Sequence, residues 1–229
     1  MLAMLLGILL AGPVQPVREY HCPRAASAVR IDGRLGEAAW EQAPWTEPFV
    51  DIRGEDHEPA PCLETRVKML WDSQFLYIGA NLEEPHVKAT LRERDAIIWK
   101  DNDFEVFLDP DADGRNYFEI EINALGTVMD LLMDKPYAEG GNFVLAWDCK
   151  GLRSAVRRTG RGWAVELAIP FDSLAVGFQQ PAELNGWRIN FSRVEWLLEG
   201  GPEENWVWSP TGRVDIHVPE RWGILYFEK

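Results

Sequence analysis

The stretch DNDFEVFLDPDADGRNYFEIEINA, residues 101–124, decides the fold. Phe104, Val106 and Leu108 alternate with Glu105 and Asp109, and Phe118, Ile120, Ile122 and Ala124 alternate with Glu119, Glu121 and Asn123. Successive side chains on a strand point to opposite faces, so each half reads as a strand with one apolar and one acidic side. The PDADG between them is made of turn residues, which predicts a hairpin. Its acidic face reads either as the solvated side of the sheet or as the polar floor of a binding site.

The same pattern recurs on either side. Val67, Met69 and Trp71 alternate with Arg66, Lys68 and Leu70, and Leu76, Ile78, Ala80 and Leu82 share one face, giving a hairpin around Asp72-Ser73-Gln74. Residues 152–158, 163–169, 187–194 and 223–227 read as further strands, with Gly160-Arg161-Gly162 as a tight turn. IDGRLGEAAW, residues 31–40, reads as a short strand, a glycine turn and a helical turn ending near Pro44, with Trp40 plugging the end of a sandwich. Besides Glu37–Ala43, only Phe171–Leu174 looks helical. Many short strands with turn signals between them predict an all-β fold: an antiparallel β-sandwich, immunoglobulin-like or jelly-roll-like, with one or two short helical turns.

Composition limits what such a domain does. The 229 residues suit one large β domain, and 46% apolar with 26% charged residues is ordinary for a globular chain. With 23 Lys+Arg against 37 Asp+Glu the formal charge is −14, so no nucleic acid and no anionic membrane surface is expected as a partner. Eleven tryptophans serve equally as core anchors or as platforms for a ligand. The run LAMLLGILLAG, residues 2–12, is too short to span a bilayer and is stopped by Pro13. It reads as the apolar part of a signal peptide over 1–15, which leaves 20–229 as one module, secreted, periplasmic or at the cell surface. No Lys or Arg precedes that run, so a misassigned start and an uncleaved anchor are the alternatives. Cys22, Cys62 and Cys149 are odd in number; in an exported chain Cys22–Cys62 is the expected pair, and Cys149 the buried thiol.

Five stretches carry a resemblance. IDGRLGEAAW, TRVKMLWDSQFLYIGANLEEP, DNDFEVFLDPDADGRNYFEIEINALGTVMDLLM, WAVELAIPF and PERWGILYF resemble, in that order, the pattern of family 9 carbohydrate-binding modules and their single-domain, DOMON-like relatives. The resemblance implies a non-catalytic β-sandwich attached to enzymes that break down xylan- or cellulose-type polysaccharides, with two tryptophans clamping a terminal sugar. By the strand motif the first clamp tryptophan falls on Trp99 and an acidic sugar contact on Glu105. The family's arginine-x-asparagine pair falls on Glu121 and Asn123, so the asparagine matches and an acid replaces the arginine. Ile216 and His217 stand where the second clamp tryptophan belongs, and Trp208, earlier in the same loop, is its candidate substitute. The carbohydrate-binding candidates are thus Trp99, Glu105, Glu121, Asn123, Trp208 and His217. A pyranose offers C–H patches on its faces and hydroxyls on its edge, which an aromatic platform with aimed carboxylates and amides satisfies.

Three further features bear on chemistry. Asp109, Asp111 and Asp113 have the D-x-D-x-D-G spacing of a calcium loop, though Ile120 stands where that loop puts its bidentate acid. They read as a solvated turn or as ligands of a structural calcium; no other cofactor is expected. Met129 and Met133 lie in a strand, where they serve as core or, in a haem-binding redox sandwich, as axial ligands. Glu105 and Glu121 on adjacent strands also permit a glycoside hydrolase, whose paired carboxyls stand about 5–10 Å apart. The expected partners are an oligo- or polysaccharide and a glycoside hydrolase, with the chain itself a monomer.

Overall fold

The structure, a computed structural model, describes residues 16–174, 186–197 and 200–228. The apolar run at 2–12 therefore lies outside the described residues. In chain order the strands are β1 (Glu19–Cys22), β2 (Val50–Asp51), β3 (Thr65–Trp71), β4 (Phe75–Glu83), β5 (Asp103–Asp109), β6 (Tyr117–Asn123) and β7 (Val128–Met133). They continue with β8 (Phe143–Val144), β9 (Arg153–Arg158), β10 (Gly162–Pro170), β11 (Trp187–Glu195), β12 (Glu204–Val207) and β13 (Gly223–Phe227). The one α-helix among the described residues, α1 (Ala38–Gln42), is a single short turn.

Two sheets form. The larger runs β1-β13-β11-β5-β6-β7-β8, with β12 and β2 attached beside β11; the smaller runs β3-β4-β10-β9. Both predicted hairpins are present, β3 with β4 and β5 with β6, and the pairing is antiparallel except that β1 lies parallel to β13. Neither β1 nor β12 was legible in the sequence, because four-residue strands give too few alternations to register.

The apolar faces meet between the sheets. Phe104, Val106, Leu108, Phe118, Ile120 and Ile122 of the larger sheet pack in one cluster with Val67, Met69, Leu76, Ile78, Val165 and Leu167 of the smaller. These are the positions that alternation assigned inward. Burial at roughly 1.5–3 kcal/mol for each large side chain makes this layer the main source of stability.

Each sheet is also covered on its outer face, which simple alternation does not foresee. On the smaller sheet α1 and the Ala43 that caps it lay Ala39, Trp40 and Ala43 against Leu70, Tyr77 and Ala168. Trp40 thus covers an outer face and does not plug the sandwich end, and residues 31–36 form an irregular turn where a short strand was expected. On the larger sheet Phe107, Tyr117, Met129, Leu131 and Met133 form a second apolar layer under Ile98 and Trp222. The haem reading placed Met129 and Met133 as ligands; both are packing residues of that layer. All three cysteines are free, Cys22 and Cys149 buried and Cys62 exposed, so the expected Cys22–Cys62 pair is absent.

Candidate functional site

The acidic side of the β5–β6 hairpin is the outer face of the larger sheet. Antiparallel register sets Glu105 directly across from Glu121 and Asp103 across from Asn123. On the other flank β11 brings Ser192 opposite Glu105. This face is not solvated: Asp103, Glu105, Glu119, Glu121 and Asn123 are all buried.

Part of the cover is the segment before β5, which carries Trp99 in a 3₁₀ turn, Ile98–Lys100. It is fastened through Asp101, whose carboxylate accepts from the backbone N–H groups of Thr90 and Leu91 and from the Thr90 hydroxyl, at 2.8–3.0 Å. Asn123 completes the buckle. Its Nδ2 donates to Asp101 and to the Leu91 carbonyl, and its Oδ1 accepts from the N–H groups of Leu125 and Thr127. With every polar atom used, Asn123 positions the loop that presents Trp99 and has no capacity left for a ligand.

Between these covers lies a cavity of about 420 Å³, within the ~300–1,000 Å³ typical of small-ligand sites. Glu105, Glu119 and Glu121 with Met129 and Leu131 line it, along with Trp99, Tyr137, Phe143, Glu203, Asn205 and His217. Trp99 is 40% exposed, Tyr137 47% and Phe143 52%. Large aromatic side chains are normally withdrawn from solvent, so three of them around one opening mark a surface shaped for contact.

Burial sets the electrostatics. Loss of solvation, then the charge of neighbouring acids, raises the carboxyls of Asp103, Glu105 and Glu121 well above the usual carboxylate range. Burial raises Glu119 as well. Burial pushes His217 down to about 4, which leaves a neutral ring whose Nδ1 lies 2.9 Å from the Tyr117 hydroxyl.

Of the six sequence candidates, the fold brings Trp99, Glu105, Glu121 and His217 to one cavity. Asn123 lies behind it as the buckle. Trp208 is elsewhere: it is fully buried in the core between the sheets, its Nε1 donates to Glu47 at 3.1 Å, and its ring lies where a Cβ on Gly223 would stand. It cannot substitute for a clamp tryptophan, because no face of it meets the cavity. The aromatic side chains that do face the cavity, Tyr137 and Phe143, come from the 134–145 connection and were missed. Their one sequence signal is a run of aromatic and aliphatic residues in a glycine-containing loop, PYAEGGNFVLAW.

An aromatic-rimmed, acid-floored cavity on the outer face of a two-sheet sandwich is the geometry of a small-ligand-binding module. The chain belongs to the family described as carbohydrate family 9 binding domain-like, which matches residues 31–228. That family comprises non-catalytic carbohydrate-binding domains, which favours binding over the hydrolytic reading of the chain. The chain is 26% identical over 161 residues to the exoglucanase XynX of Acetivibrio thermocellus. That match covers 70% of this chain and only 12% of the enzyme. In fold it is similar to a Bacteroides uniformis protein inferred to be carbohydrate-binding, at TM-score 0.71 and 18% identity over 93% of this chain and 100% of that one. It is also similar to a family 9 carbohydrate-binding module of Caldicellulosiruptor kristjanssonii. In complex with cellotriose that module gives TM-score 0.66 at 15% identity, covering 92% and 94% of the two chains. In complex with glucose it gives 0.64 at 15%, covering 91% and 95%.

Proposed function

We propose that the cavity lined by Trp99 retains a saccharide, and that the chain serves as an accessory to the breakdown of xylan- or cellulose-type polysaccharides. The observation that carries this reading is the convergence of Trp99, Glu105, Glu121 and His217, far apart in sequence, on one aromatic-rimmed opening. A pyranose stacks its C–H face on the Trp99 indole while its hydroxyls meet Glu105, Glu121, Glu203 and Asn205. Tyr137 and Phe143 supply the aromatic wall that Trp208 does not. The relative named as an exoglucanase and the neighbours solved with cellotriose and glucose support a β-linked glucose or xylose polymer as the ligand class.

Retention on insoluble cellulose and xylan, with calorimetry on cellotriose, tests it. Trp99→Ala removes the stacking platform and is expected to weaken binding at least ~10-fold, about 1.4 kcal/mol. Equal affinity of the variant and the wild type for every glycan the wild type retains would exclude the site.

We further infer a structural calcium at the β5–β6 turn. Asp109, Asp111 and Asp113 each bring a carboxylate oxygen within 4.8 Å of the other two. Asp109 uses Oδ2 to accept the Gly114 N–H, while its buried Oδ1 has no hydrogen-bond partner among the described residues and is free to face an ion. Calcium is expected to raise the melting temperature of the wild type by several degrees, and Asp111→Asn with Asp113→Asn to remove that part of the rise. An identical calcium response in the double variant would disprove it.

A further inference from the structure

The floor of the cavity has an imbalance that a neutral sugar leaves uncorrected. Asp103, Glu105 and Glu121 are each almost wholly buried, and each offers a carboxylate oxygen within 4.8 Å of the other two. Asp103 Oδ1 accepts the Val194 N–H at 3.0 Å, but Asp103 Oδ2 and Glu121 Oε2 are buried with no hydrogen-bond partner among the described residues. The strongest charge interactions felt by all three acids come from other acids, Glu119 among them. Unsatisfied anionic oxygens in a buried site are costly, and native structures answer them with a proton, a cationic side chain or a bound ion.

The geometry points to a bound ion: we propose that Asp103, Glu105 and Glu121 form a divalent-cation site, of calcium type, in the floor of the saccharide cavity. Calcium takes oxygen ligands at about 2.3–2.6 Å, so ligands on opposite sides of its shell stand up to about 5 Å apart, and a triangle with edges of this size closes around it. Depth favours an ion over the ammonium of an amino sugar. Glu105 and Glu121 line the cavity, whereas Asp103 lies beyond them against β11, where a bare ion reaches and a ring-borne amine does not. Calcium takes six to eight oxygens and the three carboxyls leave positions open. On the cavity side, water or two neighbouring hydroxyls of a pyranose complete the shell; that last step alone rests on the saccharide reading. Glu119 and His217, next to the three, stay outside the shell and hold the site's outer charge and hydrogen bonds.

The test is calorimetry with calcium chloride at pH 7 on the full chain after chelator treatment, carrying Asp111→Asn and Asp113→Asn so that the hairpin turn is silent. One ion per chain is expected, with a heat that varies with the buffer because displaced carboxyl protons are released. Glu121→Gln and Asp103→Asn are each expected to weaken it at least ~10-fold, and Glu121→Arg, which places a positive charge inside the cluster, to abolish it. No binding up to ~10 mM, an order of magnitude above the weakest extracellular calcium modules, overturns the site, as does binding that none of these changes affects. Tighter retention on chitosan than on cellulose without bound calcium assigns the floor to an ammonium group and overturns it as well. Glycan retention measured alongside separates the two readings. Retention without an ion sinks the ion site and leaves the saccharide, whereas an ion without retention on any glycan does the reverse.

Discussion

His217 is packed among three aromatic rings. Its centroid lies 5.7 Å from Phe107, 5.9 Å from Tyr117 and 4.5 Å from Tyr137. Burial lowers it to about 4, with Asp215 pulling the other way. The 4.0 Å approach of its Nε2 to Glu119 is therefore a contact of a neutral ring, not an ion pair. The linkage follows from the two states. An unfolded histidine binds its proton below about pH 6.5, and the folded one only below about 4, so between those values the unfolded chain holds more protons and stability rises with pH. The contribution is complete above about pH 6.5 and is lost as the pH falls toward 4, with a size of about 3 kcal/mol. His217→Gln keeps an acceptor for the Tyr117 hydroxyl but cannot titrate. Urea unfolding of both proteins from pH 4 to 8 should show the wild-type advantage growing up to about pH 6.5 and then levelling. A difference independent of pH would show that His217 is not buried neutral, and with it would go the neutral histidine at the cavity wall.

Among the elements, the first of the five stretches that carried the family resemblance is a fastening. The N–H groups of Asp32, Gly33 and Arg34 donate to Glu166 Oε2 at 2.6–3.2 Å, and the Trp40 indole donates to its Oε1 at 2.9 Å. Gly33 has φ +78°, and a Cβ there would stand 2.8 Å from that of Arg157, so glycine is required twice over. IDGRLGEAAW thus ties an irregular turn to the outer face of the smaller sheet through one buried carboxylate, and none of its residues lines the cavity. The two hairpins and the inward set of side chains were readable because long strands repeat their alternation often enough to fix a register. The coverage of the acidic face was half readable. Phe107 and Tyr117 share that face with the glutamates, which a solvated face does not favour, but nothing local says that Ile98 and Trp222 pack over them. The site divided the same way: Trp99 and the two strand glutamates follow from a motif and a period of two. The aromatic wall comes from Tyr137 in a 3₁₀ turn and Phe143 in the two-residue strand β8, both too short to leave a period in the sequence. Trp208 was misread for a related reason, since a tryptophan in a loop carries no periodicity to say which way it faces.

At the scale of the whole molecule, the two sheets are joined by more than apolar packing. Arg193 of the larger sheet donates to the Thr65 hydroxyl of the smaller at 3.0 Å and to Glu84 at 2.9 Å, and pairs with Glu195 on its own strand. Every member of this group is buried, so breaking it would strand a charge in the interior, at about 3–5 kcal/mol. A molecule closed in this way by a large core and a buried ionic tie has no structural need of a cross-link, and the thiols are placed accordingly. Cys22 ends β1 inside the main core, Cys149 contacts Ser173 Oγ at 3.1 Å under the same layer, and Cys62 stands exposed in the loop before β3. Burial raises the Cys22 thiol well above its ordinary value and Cys149 to about 11. At pH 8 only about one Cys149 in a thousand is thiolate, the form that reacts, and the core bars the reagent from both buried sulfurs. Titration of the native chain at pH 8 with an aromatic disulfide reagent should therefore register one thiol, and three in denaturant, with the two late ones appearing at the rate of global unfolding. None in the native protein and one after denaturation would mean that Cys22 and Cys62 are joined, which requires β1 to leave the position it occupies beside β13.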